Sequence, residues 1–342
     1  MGITLKEIIG NEDIKKQLAV AFRASELKNT ALPHLLFTGA AGCGKTTMAH
    51  AVANMRACTF IDVSPGMLKT PETAARLFSK LSAEGYSESG EIVGTLRPTV
   101  LFIDEAHNLP KKSQELLGLA MENGTHTFTS GRGNRKENLT MWLPKFTAIC
   151  ATTDEGKLLK MFRDRFKISY VFRAYPHAAA SDIVRLHAQK LGVNITEPAI
   201  DSIALRGRGI PRILVRYLEN AADCAHVLGE ETITKEITDE MFEMAGINSD
   251  GFTKEDIRIL KLLYKNADLG PMGIDNIAIT LGVSASTILE VNEPYLIQRG
   301  LISRTGKGRA LTELGHSYLS KLGIAATAKN EIPRILSRTK SA

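Results

Sequence analysis

The stretch that most limits what this chain can become is Leu35–Ala49, LLFTGAAGCGKTTMA. A short apolar run enters a glycine-rich turn, and the turn passes through Lys45-Thr46 into a helix-forming segment. Gly39 to Thr46 keep the spacing G-x-x-x-x-G-K-[ST] of a phosphate-binding loop. The chemistry explains the spacing. Gly39, Gly42 and Gly44 let the backbone curl until successive N–H groups face phosphate oxygens. The positive end of the following helix aims at the same point. Lys45 would neutralise β- and γ-phosphate charge, and the Thr46 hydroxyl would ligate Mg²⁺. The plain alternative is a strand-to-helix turn that binds nothing.

A second stretch supplies what the first lacks. Thr99–His107 reads TVLFIDEAH, five apolar or β-branched residues followed by two acids. This is the pattern of a buried parallel strand with carboxylates at its C-terminal edge, where ligands of such sheets bind. Asp104 would hold the Mg²⁺ water shell and Glu105 would polarise an attacking water. Phe146–Thr153, FTAICATT, is another buried strand ending in hydroxyls.

The remaining patterns order the chain. Helical spacing over 11–28, a strand over 32–38, a helix over 45–55 and a strand at Thr59–Val63 precede a helix at 72–81 and a polar loop at 82–98. A helix over 111–122 leads to a hairpin at 125–143 with a basic, glycine-rich tip. Strands alternating with helices predict a parallel α/β layer over residues 1–173. From Ala174 the pattern is helical only, at 178–191, 197–206, 211–228 and 235–245, a small helical domain over 174–248. Residues 249–324 carry helices at 253–265, 273–281 and 284–293, then two short strands around Gly306-Lys307-Gly308. Helix-turn-helix followed by a basic hairpin is a winged helix, a DNA-binding module or, more plainly, a packing domain.

Charge supports the DNA reading. From Arg299 onward there are nine Lys or Arg against two Glu, a local +7 in a chain of net +6. The rest of the chain is close to neutral, so the basic end, including a tail at 325–342, suggests phosphate-backbone contact. The four cysteines form no C-x-x-C pair, which supports neither a zinc site nor a redox motif. No run of about 18 apolar residues occurs, so no membrane span is expected and a cytoplasmic protein is.

These stretches together resemble an AAA+ ATPase, and more closely the RuvB family of Holliday-junction branch-migration motors. The supporting residues are Ile8–Glu12, Gly44–His50, Leu101–Glu105, Phe146–Thr153, Arg163-Asp164-Arg165-Phe166, Gly209–Ile213 and the long run Glu293–Gly300, EPYLIQRG. The resemblance implies a large ATPase domain, a helical lid and a winged helix. It implies that Lys45, Asp104, Glu105, Thr153 and Arg165 are catalytic, Thr153 as a sensor and Arg165 as an arginine finger offered to a neighbouring subunit. It implies an ATP site of Ile8, Ile9, Gly39, Gly42, Cys43, Gly44, Lys45, Thr46, Thr47, Arg163, Tyr175 and Arg212, with Mg²⁺ on Thr46 and Asp104. Core packing is the rival reading for Ile8 and Ile9, a strand-end cap for Thr153, and a surface ion-pair cluster for Arg163 to Arg165. Arg304, Lys307 and Arg309 match the family's DNA-touching wing.

The sequence also departs from the family. Ala40-Ala41 stands in place of Pro-Pro, Met161-Phe162 in place of Pro-Leu, and the loop at 82–98 is longer. The hairpin at 125–143 is polar and basic, whereas the family docks an apolar tip on its partner RuvA; this puts a RuvA-like partner in question. A divergent, phage-like member is expected: a ring-forming motor, a hexamer by resemblance, moving on double-stranded or branched DNA. The alternative is an AAA+ loader or ATP-dependent switch in DNA replication.

Overall fold

The computed structural model describes residues 2–55, 58–70, 73, 76–78, 99–130, 137–143 and 145–324. Most of the helix expected at 72–81, the loop at 82–98, the hairpin tip and the basic tail lie outside the described residues. The chain forms two compact units, one running to Leu186 and including Gly209–Arg216, the other made of His187–Arg208 and the residues from Tyr217 onward.

The first unit is built on a parallel sheet of five strands in the order β2-β3-β6-β1-β7. They are β1 (Leu35–Gly39), β2 (Thr59–Val63), β3 (Thr99–Ile103), β6 (Phe146–Thr152) and β7 (Ile168–Phe172). An antiparallel hairpin of β4 (Thr125–Ser130) and β5 (Glu137–Trp142) stands apart from the sheet. Alternation of side chains divides the sheet between two cores. Leu36, Leu101, Ile103, Ala148 and Cys150 point to one face, against Leu117 and Ala120 of α3 (Lys111–Asn123) and Phe162 of α4 (Lys160–Arg163). Leu35, Phe37, Val100, Phe102, Ile149 and Ala151 point to the other. There they meet Leu18 and Phe22 of α1 (Glu12–Leu27) and Met48 and Val52 of α2 (Lys45–Met55). Both faces are covered, which is why β3 and β6 are apolar runs without polar alternation. Because the strands are parallel, Gly39, Asp104 and Thr153 all leave the sheet at one edge.

α5 (His177–Leu191), α6 (Glu197–Arg206), α7 (Pro211–Leu228) and α8 (Lys235–Met244) follow the helical spacing of the sequence. The segment is not purely helical, however: β8 (Asn194–Ile195) and β9 (Thr232–Ile233) pair in parallel.

In the second unit, α9 (Lys254–Lys265) begins with a capping box in which Thr253 and Asp256 bond each other's backbone N–H. Asp256 is fully buried and also accepts from Asn292 Nδ2 at 2.7 Å and from Arg208 Nη2 at 2.5 Å. Arg208 sits in the left-handed region, φ 57°, donates to the Gly251 carbonyl, and lies over the Tyr295 ring at 4.3 Å. This contact ties the segment before α7 to the winged helix, and it explains why both belong to one unit.

The helix-turn-helix consists of α10 (Ile274–Leu281) and α11 (Ala285–Gln298), bent at 111°. Ser284 caps the second helix by accepting from Thr287 N–H at 3.0 Å. α11 runs further than its sequence suggests because residues Ile288–Asn292 form a π-helical turn. That wide turn ends two residues before Pro294, which has no N–H to give and whose ring would crowd the carbonyl four residues back in a regular α-turn. β10 (Ile302–Thr305) and β11 (Gly308–Leu311) form the wing, followed by α12 (Glu313–Lys321). Arg309 in β11 is buried, and its guanidinium grips Glu293 through Nε at 3.1 Å and Nη2 at 2.9 Å.

Candidate functional site

The phosphate loop leaves β1 and closes onto α2. Gly39 (φ 136°) and Gly42 (φ 79°) occupy backbone that side-chain-bearing residues avoid. A Cβ on Gly39 would lie 2.2 Å from the Phe172 carbonyl oxygen, and one on Gly42 would lie 2.9 Å from Arg212 Cβ. The glycines are therefore demanded by the neighbours as well as by the turn. Lys45 is buried and its ammonium donates to the carbonyls of Gly39 (2.8 Å) and Ala40 (3.0 Å), tying the loop into a cradle. Burial lowers the Lys45 pKa, while Glu105, Cys43 and Asp104 pull it back up. Gly44 accepts from Met48 N–H to start α2, Cys43 is buried in the core below, and Thr47 is exposed on the first helical turn.

The acidic pair stands beside this cradle. Thr46 Oγ1 donates to Asp104 Oδ2 at 3.3 Å, so the two oxygens assigned to Mg²⁺ meet across the sheet edge. Two hard oxygens with room for water and phosphate oxygens are what Mg²⁺ accepts. Glu105 lies in the left-handed region, φ 48°, a conformation that costs about 1–2 kcal/mol for a non-glycine residue. Its own N–H bonds Asp104 Oδ1 at 2.9 Å. Thr153 Oγ1 donates to Glu105 Oε2 at 3.2 Å, which joins the expected sensor to the expected base.

Tyr175 closes another side. Its hydroxyl accepts from Asn11 Nδ2 at 2.7 Å, and its N–H donates to Gly209 at 2.8 Å. Burial, with Cys43 nearby, pushes the phenol up to about 12, against the opposing pull of the Asn11 bond. Ile8 is buried among core residues and Ile9 is half-buried. The carbonyl of Ile8 accepts from Lys15 Nζ at 2.8 Å. Arg212, at the start of α7, donates its N–H toward Gly42 at 3.4 Å and keeps its side chain exposed.

The arginine pair lies elsewhere on this unit. Arg165 is half-buried and paired with Glu122 at 2.6 Å. Arg163 approaches Glu155 at 3.8 Å, and its buried Nε has no hydrogen-bond partner among the described residues. The structure thus brings together Lys45, Thr46, Asp104, Glu105 and Thr153, and sets Arg212 and Tyr175 against the loop.

Comparison with known families finds one family in all three parts of the chain. Residues 2–172 match the model described as the Holliday junction DNA helicase RuvB P-loop domain, 175–248 the RuvB AAA lid domain, and 249–320 the RuvB C-terminal winged helix domain. The chain belongs to the RuvB family. It is 35% identical to the Holliday junction branch migration complex subunit RuvB of Fervidobacterium nodosum, over 92% of this chain and 87% of that one. It is 34% identical to the subunit of the same name from Fusobacterium nucleatum, over 93% and 92%. The solved Thermotoga maritima RuvB Holliday junction branch migration motor superposes with a TM-score of 0.76 at 32% identity, covering 93% of this chain and 97% of that chain.

One of the wing residues assigned by resemblance to RuvB needs correction. Arg304 and Lys307 are exposed, but Arg309 is buried and held by both oxygens of Glu293. Its charge is spent inside the fold, so it is not available to a phosphate. Reading the sequence also missed His107, whose Nδ1 lies 3.2 Å from Glu105 Oε2. The signal was present as the fourth residue of Asp-Glu-Ala-His.

Proposed function

We propose that this RuvB-family chain is a subunit of an ATP-driven motor that moves Holliday-junction DNA. The observation that carries the reading is the meeting of Lys45, Thr46, Asp104, Glu105 and Thr153 at one sheet edge in a chain that also carries the winged helix. ATP would lie with its phosphates in the Gly39–Thr46 cradle and its base toward Ile8, Ile9 and Tyr175. Thr46 and Asp104 would hold Mg²⁺, which supplies charge neutralisation at the transferring phosphoryl group. Glu105 orients a water and takes its proton as the water oxygen bonds the γ-phosphorus. The bond from that phosphorus to the bridging oxygen breaks, and ADP leaves with the electron pair. Thr153 holds Glu105 for this step, and Arg212 contacts phosphate from the loop side.

Arg165 acts in this proposal on the neighbouring subunit's ATP, with Arg163 beside it, so turnover depends on a closed ring, taken as a hexamer. A finger in trans must lie at the surface and exchange its resident partner, here Glu122, for phosphate charge. DNA contact falls to the wing. The exposed positions of α11 include Leu289, Glu290, Val291, Ile297 and Gln298, and the helix has no Lys or Arg. Arg304 and Lys307 supply the cations instead. Four widely spread cysteines without a C-x-x-C pair fit a cytoplasmic setting, and whether a RuvA-like partner loads the ring depends on the hairpin of β4 and β5.

The test is ATP-dependent branch migration of a synthetic four-way junction, with Glu105→Gln alongside. The wild type should move the junction, and the variant should bind ATP and DNA without movement. ATP-dependent binding with no movement by the wild type would overturn the motor reading in favour of a loader.

A further inference from the structure

Glu105 is held by more than its sensor threonine. Thr153 Oγ1 donates to Oε2 at 3.2 Å, and His107 Nδ1 lies at the same distance from that same oxygen. The ring also stands 3.0 Å from Thr152 Oγ1, which itself accepts from Asp154 N–H at 3.0 Å. His107 sits two residues after Glu105 in a short 3₁₀ turn, Ala106–Asn108, and its side chain is largely buried. These contacts decide the proton's place. An Nδ1–H donates to Thr152 Oγ1 and sets the positive edge of the ring 3.2 Å from the carboxylate oxygen, whereas a bare Nδ1 would turn its lone pair toward that oxygen. The Thr153 hydrogen bond and the His107 ring edge both fall on Oε2, and among the described residues no bond is made to Oε1 of Glu105.

We infer that His107 is a positioning residue: with Thr153 it clamps one oxygen of Glu105 and thereby presents the other, Oε1, to the attacking water. The inference rests on the proposed ATPase site. A left-handed Glu105 needs such a clamp. Its backbone conformation is uncommon for a side-chain-bearing residue and persists where surrounding groups dictate it. A clamp on one oxygen also fixes rotation about the carboxylate bond, which one hydrogen bond alone leaves loose. Misplacement of a base by about 1 Å is enough to cost about 100-fold in rate.

The experiment measures ATP turnover by the full chain on DNA for His107→Phe, His107→Asn and His107→Gln. Thermal melting and the affinity for a fluorescent ATP analogue are followed in parallel. Phe fills the space and gives no donor. The Asn amide stands where Nδ1 stands, and the Gln amide falls nearer the position of Nε2. We expect kcat to fall about 10- to 100-fold for Phe and Gln, with KM and analogue affinity within about twofold. Asn should recover most of kcat. Normal turnover by the Phe variant, or equal loss in Phe and Asn at unchanged melting temperature, overturns the clamp. Glu105→Gln separates this from failure of the site itself. If Glu105→Gln still turns over, the assigned active site is wrong. If it is inactive while His107→Phe is normal, only the role of His107 falls.

Discussion

Replacing Asp256 by Asn keeps the volume and removes one charge from a fully buried carboxylate. Four donors converge on it: Arg208 Nη2, Thr253 N–H, Thr253 Oγ1 and Asn292 Nδ2, all within 2.5 to 2.8 Å. Arg208 is itself 8% exposed. Its remaining contacts, the Gly251 carbonyl and the Tyr295 ring, carry no full charge. Removing one partner of a buried pair leaves an uncompensated ion and costs about 3–5 kcal/mol. The amide of Asn would also turn a donor toward a donor. With a urea m-value of about 2 kcal/mol/M for a unit of this size, the midpoint should drop by about 2 M. The assay is urea unfolding of the full chain, read by hydrogen exchange of peptides from α9 and α11, so that the second unit is followed by itself. Adding Arg208→Met should restore much of the loss, because it removes the stranded cation rather than another contact. A midpoint shift below about 0.5 M for the single variant would refute the reasoning. So would a double variant less stable than the single.

Two further outcomes are expected. Arg304→Ala and Lys307→Ala should each lower the slope of log K against log salt for duplex DNA by about 1, at unchanged melting temperature. Arg309→Ala should instead unfold at lower temperature by leaving Glu293 buried and alone; DNA titrations at several salt concentrations with parallel melting curves separate the two classes. Tyr175 ionises near 12 in the folded chain against 10.0 for an unperturbed phenol. The unfolded chain therefore loses its proton first, and stability is unaffected below pH 10 and falls as pH rises toward 12. Tyr175→Phe should flatten that alkaline loss in urea midpoints measured across the window.

The parts of the molecule that were legible in the sequence are those whose chemistry is local. The phosphate loop and the acidic strand end are contiguous residues with a fixed spacing, and β3 and β6 declare themselves as unbroken apolar runs. β7 was not foreseen. Ile168–Phe172 is short, two of its five residues are exposed, and its pairing with β1 depends on residues more than a hundred positions away. Arg309 shows the opposite failure. Its charge was visible, but its partner Glu293 lies on another element, and only the packed fold reveals that the two neutralise each other. In the same way the run Glu293–Gly300 served to mark a resemblance. Its physical content is a buried acid for the wing and a ring, Tyr295, for Arg208. His107 is not legible from spacing alone, because a ring two residues on meets the carboxylate only through the tight turn between them.

The π-helical turn at Ile288–Asn292 makes the length of α11 a matter of counting. Each residue of a helix advances the face by about 100°. The wide turn already takes up one residue more than an α-turn holds, so a further residue inserted before Glu293 would rotate everything after it relative to the residues before. Glu293 would then no longer face Arg309, and Tyr295 would no longer lie under Arg208. Substitutions along the exposed side of that turn should be well tolerated, while single-residue insertions or deletions should not. The segment is thus constrained less in its chemistry than in its number of residues.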